Sequence, residues 1–148
     1  MRLLVVDAAV WAIAGVVVGV GFARRDWRRL APPGAVTRLR RNERRGMYER
    51  VLRVRAWKDV LPEAGTWFGG ISKRRLPSAN DGYLARFAAE SLRAERVHLC
   101  LLLVIPLTMA WNRGWWMLGN IAFGLALNVP CIVVARYNRV RVARLLQT

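Results

Sequence analysis

Three runs of apolar residues divide the chain: Leu3 to Phe22, Val97 to Trp111 and Trp115 to Ala135. The first and third match the ~20 residues a helix needs to cross ~30 Å of hydrocarbon, and the second is somewhat short. The pattern predicts an all-α membrane protein with about three crossings. A reverse anchor occupies residues 1–23, a basic interfacial cytoplasmic segment 24–82, and a long helix with a transmembrane hairpin 83–148. Pro32-Pro33-Gly34 stops the first helical region. Beyond it, Tyr48, Val51, Leu52 and Arg55 recur at helical spacing among Arg44, Arg45, Arg50 and Arg53, the pattern of a basic helix lying on a membrane surface. The Trp57 to Gly70 stretch, rich in Pro, Gly and aromatics, reads as an interfacial or partly re-entrant loop.

Ser78-Ala79-Asn80-Asp81-Gly82 offers capping residues just before Tyr83, so a long helix is expected to start there. Its apolar stripe is Leu84, Phe87, Ala88 and Ser91. At 100° per residue the next members are Glu95, His98 and Leu102, whereas Arg93 and Arg96 point elsewhere. The stripe that should be most buried therefore carries a carboxylate and an imidazole three residues apart, close enough to interact. Ionisable groups where a helix enters a bilayer are costly unless they face a protein interior or a wet cavity, and their default reading is functional.

The Asn112-Arg113-Gly114 turn, flanked by Trp111, Trp115 and Trp116, sets a depth scale on both arms of the hairpin. At 1.5 Å per residue, His98 lies ~20 Å and Glu95 ~24 Å below Trp111. On the other arm Asn128 lies ~20 Å, Cys131 ~24 Å and Arg136 ~31 Å below Trp115. Level matching puts Asn128 opposite His98, Cys131 opposite Glu95, Arg136 opposite Glu90, and Asn120 opposite Pro106. The chemistry expected from this is base catalysis at the inner leaflet. His98 and Glu95 serve as base and orienter, Asn128 donates to a developing oxyanion, and Arg136 neutralises Glu90 or grips a donor phosphate.

Composition adds orientation. The 148 residues are 55% hydrophobic yet carry 25 Lys and Arg against 9 Asp and Glu, a net charge of +16. Nineteen of the basic residues fall between Arg24 and Arg96 and four after Ala135, leaving Arg2 and Arg113 for the other side. Positive-inside bias then places the N-terminus outside and the C-terminus in the cytoplasm of a multi-pass protein. The arginines that follow Phe22 favour a retained anchor over a cleaved signal peptide. A pI near 11.7 suggests nucleic acid, but no zinc-finger spacing or RNP-type aromatic pattern accompanies it, and a basic membrane face meets anionic headgroups. Cys100 and Cys131 lie inside apolar runs, which excludes a secreted disulfide framework.

Taken as a set, Trp57-Lys58-Asp59 with Leu61-Pro62 and Gly65, then Glu90, Arg93-Ala94-Glu95 and His98, then Asn128, Pro130-Cys131-Ile132 and Arg136-Tyr137-Asn138-Arg139, resemble the glycosyl-4,4'-diaponeurosporenoate acyltransferases. The resemblance spans roughly Trp57 to Arg139. It implies a bacterial membrane enzyme that esterifies a sugar hydroxyl of a carotenoid glycoside with a fatty acid. Such an enzyme needs no cofactor and no metal. Its donor is acyl-CoA or an acyl-carrier protein, its acceptor a lipid or glycolipid. The depth argument assigns His98, Glu95 and Asn128 to catalysis; Glu90, Arg93, Arg136, Tyr137, Asn138, Arg139, Trp57, Lys58 and Asp59 are expected to bind substrate. The His-x4-Asp dyad of many glycerolipid acyltransferases is absent, because His98 is followed at that spacing by Leu103.

Two other readings compete. Glu95-Arg96-Val97-His98 is a Glu-x-x-His step of the kind di-iron bundles use in pairs, yet a single copy is present. A non-catalytic membrane scaffold or partner subunit would use the same polar residues to lock helices together.

Overall fold

The computed structural model describes residues 2–26, 28, 33–61 and 80–146, and every regular element among them is helical. Helix α1 is Arg2–Ala23, α2 is Arg45–Arg50 and α3 is Val54–Trp57, followed by a 3-10 turn over Lys58–Val60. After residues 62–79, which lie outside the described set and include the Pro62–Gly70 part of the expected Trp57–Gly70 loop, come α4 (Asp81–Leu102), α5 (Val104–Thr108) and α6 (Gly114–Leu145).

Local chemistry fixes the ends. Asn80 caps α4, its side-chain oxygen accepting from the Gly82 N–H at 2.9 Å, and Asp81 in the first turn suits the positive end of the helix dipole. Pro106 has no N–H for the Leu102 carbonyl and its ring crowds that turn. The apolar run Val97 to Trp111 is accordingly broken at Leu103 into the end of α4 and the short α5. Gly114, at φ +57, takes the left-handed conformation that lets the chain turn back into α6.

Among the described residues two helices, α1 and α6, are long and apolar enough to cross a membrane. Both present large apolar side chains outward, among them Val5, Ile13, Val16 and Val17 on α1 and Leu118, Phe123, Leu125 and Leu127 on α6. Such faces suit lipid.

The antiparallel α4–α6 pair is the frame on which the other elements pack. Leu84 and Phe87 of α4 bury against Val142 of α6. Nearer the hairpin turn, Trp11 of α1 packs with Leu101 and Val104. Gly124 makes this close approach possible, since a Cβ there would stand 2.7 Å from Ile105 and 2.8 Å from Trp11. Tyr48 and Val54 from α2 and α3 bury against Tyr137 and Val140. The continuous interfacial helix expected through Tyr48, Val51, Leu52 and Arg55 is instead two short helices. Arg53 between them is left-handed at φ 47, and Val51 and Leu52 stay exposed while Tyr48 and Val54 turn inward.

Candidate functional site

The α4 stripe is buried as its spacing requires: Leu84, Phe87, Ser91 and Glu95 are all enclosed, and His98 is half-buried. The hairpin brings His98 against Asn128, with Nδ1 2.9 Å from the Asn128 side-chain oxygen. Asn128 is fully enclosed and its own amide Nδ2 donates to the Gly124 carbonyl at 2.8 Å. That second bond fixes which end of the amide faces the imidazole. With an acceptor oxygen against it, Nδ1 must carry the proton, so Nε2 is the basic nitrogen of the neutral ring. Asn128, expected as an oxyanion donor, thus meets the imidazole through its oxygen, with its amide N–H bonded to Gly124.

Glu95 has different partners. Its carboxylate is 0% exposed, with one oxygen 2.6 Å from Arg136 Nη1 and the other bonded to Arg139 Nη1. Both carboxylate oxygens are thus committed to charge-assisted hydrogen bonds from guanidiniums. Arg136 also reaches Glu43 through Nε and Nη2 and donates to the carbonyls of Val36 and Arg38 at 3.3 and 3.2 Å. It thereby fastens the chain before α2 to the α4–α6 frame.

The expected Arg136–Glu90 pair is thus replaced, Arg136 going to Glu95 while Glu90 pairs with Arg93 one turn along its own helix. The reason is directional. Side chains on a helix lean toward its N-terminus, so Arg136 on α6 reaches toward the hairpin turn, past the level of its own Cα, and meets Glu95. The same lean leaves Cys131 donating weakly to the Leu127 carbonyl at 3.5 Å, and neither Cys100 nor Cys131 is in a disulfide. Asn120, placed opposite Pro106 by level matching, accepts from Trp11 Nε1 at 3.1 Å and from the Thr108 hydroxyl at 3.3 Å.

The remaining candidates divide. Tyr137 is buried and donates its hydroxyl to Glu49 at 2.8 Å. Arg139 is committed to Glu95. Asn138 and Ser91, on facing helices, are buried with no hydrogen-bond partner for their side-chain polar atoms among the described residues. Trp57 donates to the Leu52 carbonyl at 2.9 Å and packs on the Tyr48–Tyr137 cluster, and Lys58 and Asp59 pair with each other.

Outside the apolar helices, burial opposes ionisation of Glu43. Bonds from Arg136 and Tyr48 outweigh it and hold the carboxyl below its ordinary 4.5. Burial and the same bond to Glu43 push the Tyr48 phenol up to about 12. Glu49 is likewise held low by Arg45 and Tyr137.

Comparison with known proteins decides the family. The model of the family described as glycosyl-4,4'-diaponeurosporenoate acyltransferase matches residues 26–148. The chain belongs to this family. Glycosyl-4,4'-diaponeurosporenoate acyltransferases of Staphylococcus aureus, from strains bovine RF122 / ET3-1 and N315, are each 31% identical to it over 97 residues, 64% of this chain and 57% of the relative. The chain thus spans a little over half the length of these relatives. No solved structure matches.

In this member of the acyltransferase family, sequence reasoning passed over Asp7, Glu43 and Glu49. Asp7 is buried and accepts from Trp111 Nε1 at 2.8 Å and from Asn112 Nδ2 at 2.9 Å, tying α1 to the hairpin turn. It is the sole carboxylate in Leu3 to Phe22, a signal under the same rule that singled out Glu95. Glu43 and Glu49 are rare acids in an arginine-rich stretch, and their partners lie on α6, far along the chain.

Proposed function

We propose that this chain is a membrane-bound acyltransferase that moves a fatty acyl group onto a sugar hydroxyl of a glycosylated carotenoid acid, the substrate named for its relatives. The observation that carries the reading is the His98–Asn128 bond at 2.9 Å, which puts the proton on Nδ1 and makes Nε2 the basic nitrogen. Nε2 takes the hydroxyl proton as the oxygen attacks the acyl carbonyl. The new ester C–O bond forms, the donor's C–S bond breaks, and the proton passes from His98 to the departing thiolate. Glu95, Arg136 and Arg139 hold the frame; they do not enter the proton path.

In this reading α1, the apolar end of α4 with α5, and α6 make three crossings. The N-terminus is outside, and the basic segment and C-terminus are in the cytoplasm of a bacterial cell membrane, where anionic lipids meet the arginines. An acyl donor from the cytoplasm and a lipid-borne hydroxyl from the bilayer meet at the inner leaflet, the level of His98.

The test is reconstitution. Purified protein supplied with fatty acyl-CoA and the glycosyl diaponeurosporenoate should yield the ester by mass spectrometry. A folded protein that binds the glycolipid yet never forms ester from an acyl thioester is a scaffold, and the proposal fails. Topology is tested separately by engineered cysteines: Arg41→Cys should label only from the cytoplasmic side and Arg113→Cys only from outside, and the reverse pattern would overturn the inner-leaflet placement.

A further inference from the structure

Arg136 was the natural candidate for a donor phosphate, but Glu95, Glu43 and two carbonyls occupy it. A different group of arginines has no such commitment. An open cleft of about 650 Å³ lies between the start of α2 and the end of α6, lined by Asn42, Arg44, Arg45, Glu49, Arg50 and Arg144. Arg45 is spent on Glu49 at 2.7 Å, and Glu49 also accepts from Tyr137. Among the described residues, no carboxylate lies within ion-pairing distance of Arg44, Arg50 or Arg144. Gly46 gives Arg50 room to fold over the start of α2, since a Cβ there would stand 3.0 Å from the guanidinium.

Three unneutralised guanidiniums around one concavity are a receptor for a multiply charged anion, because the planar fork matches phosphate oxygens two at a time. The volume lies in the range of small-molecule sites, well beyond a lone phosphate. An anionic lipid fits poorly, because a lipid seated in a cleft needs apolar walls for its chains and Met47 is the sole long apolar residue on the lining. An acidic carrier protein would spread over a broad basic surface and would not require a concavity. From Asn128 to Arg144 is ~24 Å along α6, so a donor held here must carry a long arm between its phosphates and its acyl carbonyl.

We infer that the Arg44–Arg50–Arg144 cleft binds the phosphorylated nucleotide end of a coenzyme A thioester, which makes it the donor site of the acyltransferase. The inference rests on the acyl-transfer reading for the donor's role and on the cleft alone for binding. The experiment is titration of full-length protein, in nanodiscs of neutral lipid, with coenzyme A. Binding should saturate and be competed by pyrophosphate. Arg50→Gln and Arg144→Gln, both at exposed positions, should each weaken it ~10- to 100-fold, the range for a charge-assisted hydrogen bond. Arg41→Gln, outside the cleft, should change it little, and His98→Ala should bind coenzyme A like the wild type.

The inference is overturned if coenzyme A does not saturate, if Arg50→Gln and Arg144→Gln bind it unchanged, or if those substitutions weaken only adhesion to phosphatidylglycerol vesicles. The two readings separate cleanly. Cleft-dependent binding without ester formation removes the acyltransferase and keeps the cleft. Ester formation from acyl-CoA whose KM is untouched by Arg144→Gln does the opposite.

Discussion

His98 and Glu95 stand one turn apart on the same face of α4 and are held in opposite ways. His98 meets a neutral amide that fixes its tautomer, whereas Glu95 has both oxygens bonded to arginines. Burial alone does not make a group reactive; what matters is whether its partners leave it a proton to exchange. On the proposed reading the imidazole is the chemical group and the carboxylate is the clamp.

The largest effect should separate them by rate. His98→Ala is expected to lower ester formation ~10² to 10⁴-fold, the usual contribution of a general base. Losing one polar helix contact in a bilayer costs about 0.6 to 2 kcal/mol, so the protein should stay folded. Steady-state turnover with a thermal melt on the same sample checks both. Cys131→Ser is the control: serine keeps a donor for the Leu127 carbonyl, and on a direct transfer from donor to hydroxyl activity should persist. A dead Cys131→Ser beside an active His98→Ala would replace the base with a thioester route.

Glu95→Gln should act on the other side of the comparison. It leaves Arg136 and Arg139 around a fully enclosed neutral amide, and removing one partner of a buried ion pair costs about 3 to 5 kcal/mol. The expected result is a large drop in melting temperature, with whatever protein remains folded still transferring acyl groups. Normal stability with no turnover would return Glu95 to the proton path.

Near the hairpin turn the contacts are steric more than ionic, and the effect there should be smaller. Gly124→Ala forces a Cβ to 2.7 Å from Ile105 and 2.8 Å from Trp11, and overpacking of this kind costs about 1 to 3 kcal/mol. Because Gly124 also supplies the carbonyl that holds Asn128, turnover should fall together with stability. A melt unchanged from wild type would mean that α1 yields there.

What the sequence disclosed follows the same division. The apolar runs marked α1 and α6, and the tryptophan-flanked turn measured His98 to Asn128 correctly because rise per residue is fixed. The same count misplaced Arg136, since it measures Cα levels and a long side chain leans a turn away from its own. Arg136's tie to Glu43 had no periodic signal at all, coming from an irregular stretch 93 residues earlier. The break at Leu103 was visible in Pro106. The split of α2 from α3 was not, because nothing in Val51-Leu52-Arg53 forbids a helix there.

The smallest expected effect is on the Glu43 tie, and it depends on pH. A carboxyl held below 4.5 in the folded protein contributes stability that is complete above that value and is lost as pH falls through its depressed pKa. Tyr48 runs the other way: its phenol, raised to about 12, contributes fully below 10 and is lost as pH rises through about 12. The stretch from Val36 to Tyr48 should therefore be most protected between about pH 4.5 and 10. Amide exchange there should rise on acidification below 4.5 while α4 and α6 near Glu95 stay protected, because Arg136 keeps the Val36 and Arg38 carbonyls and Glu95 when Glu43 is protonated. In Glu43→Gln that acid-dependent rise should vanish, with exchange already faster at neutral pH. If the rise persists in the variant, some other carboxylate holds the segment and the Glu43–Arg136 tie is not what fastens it to the frame.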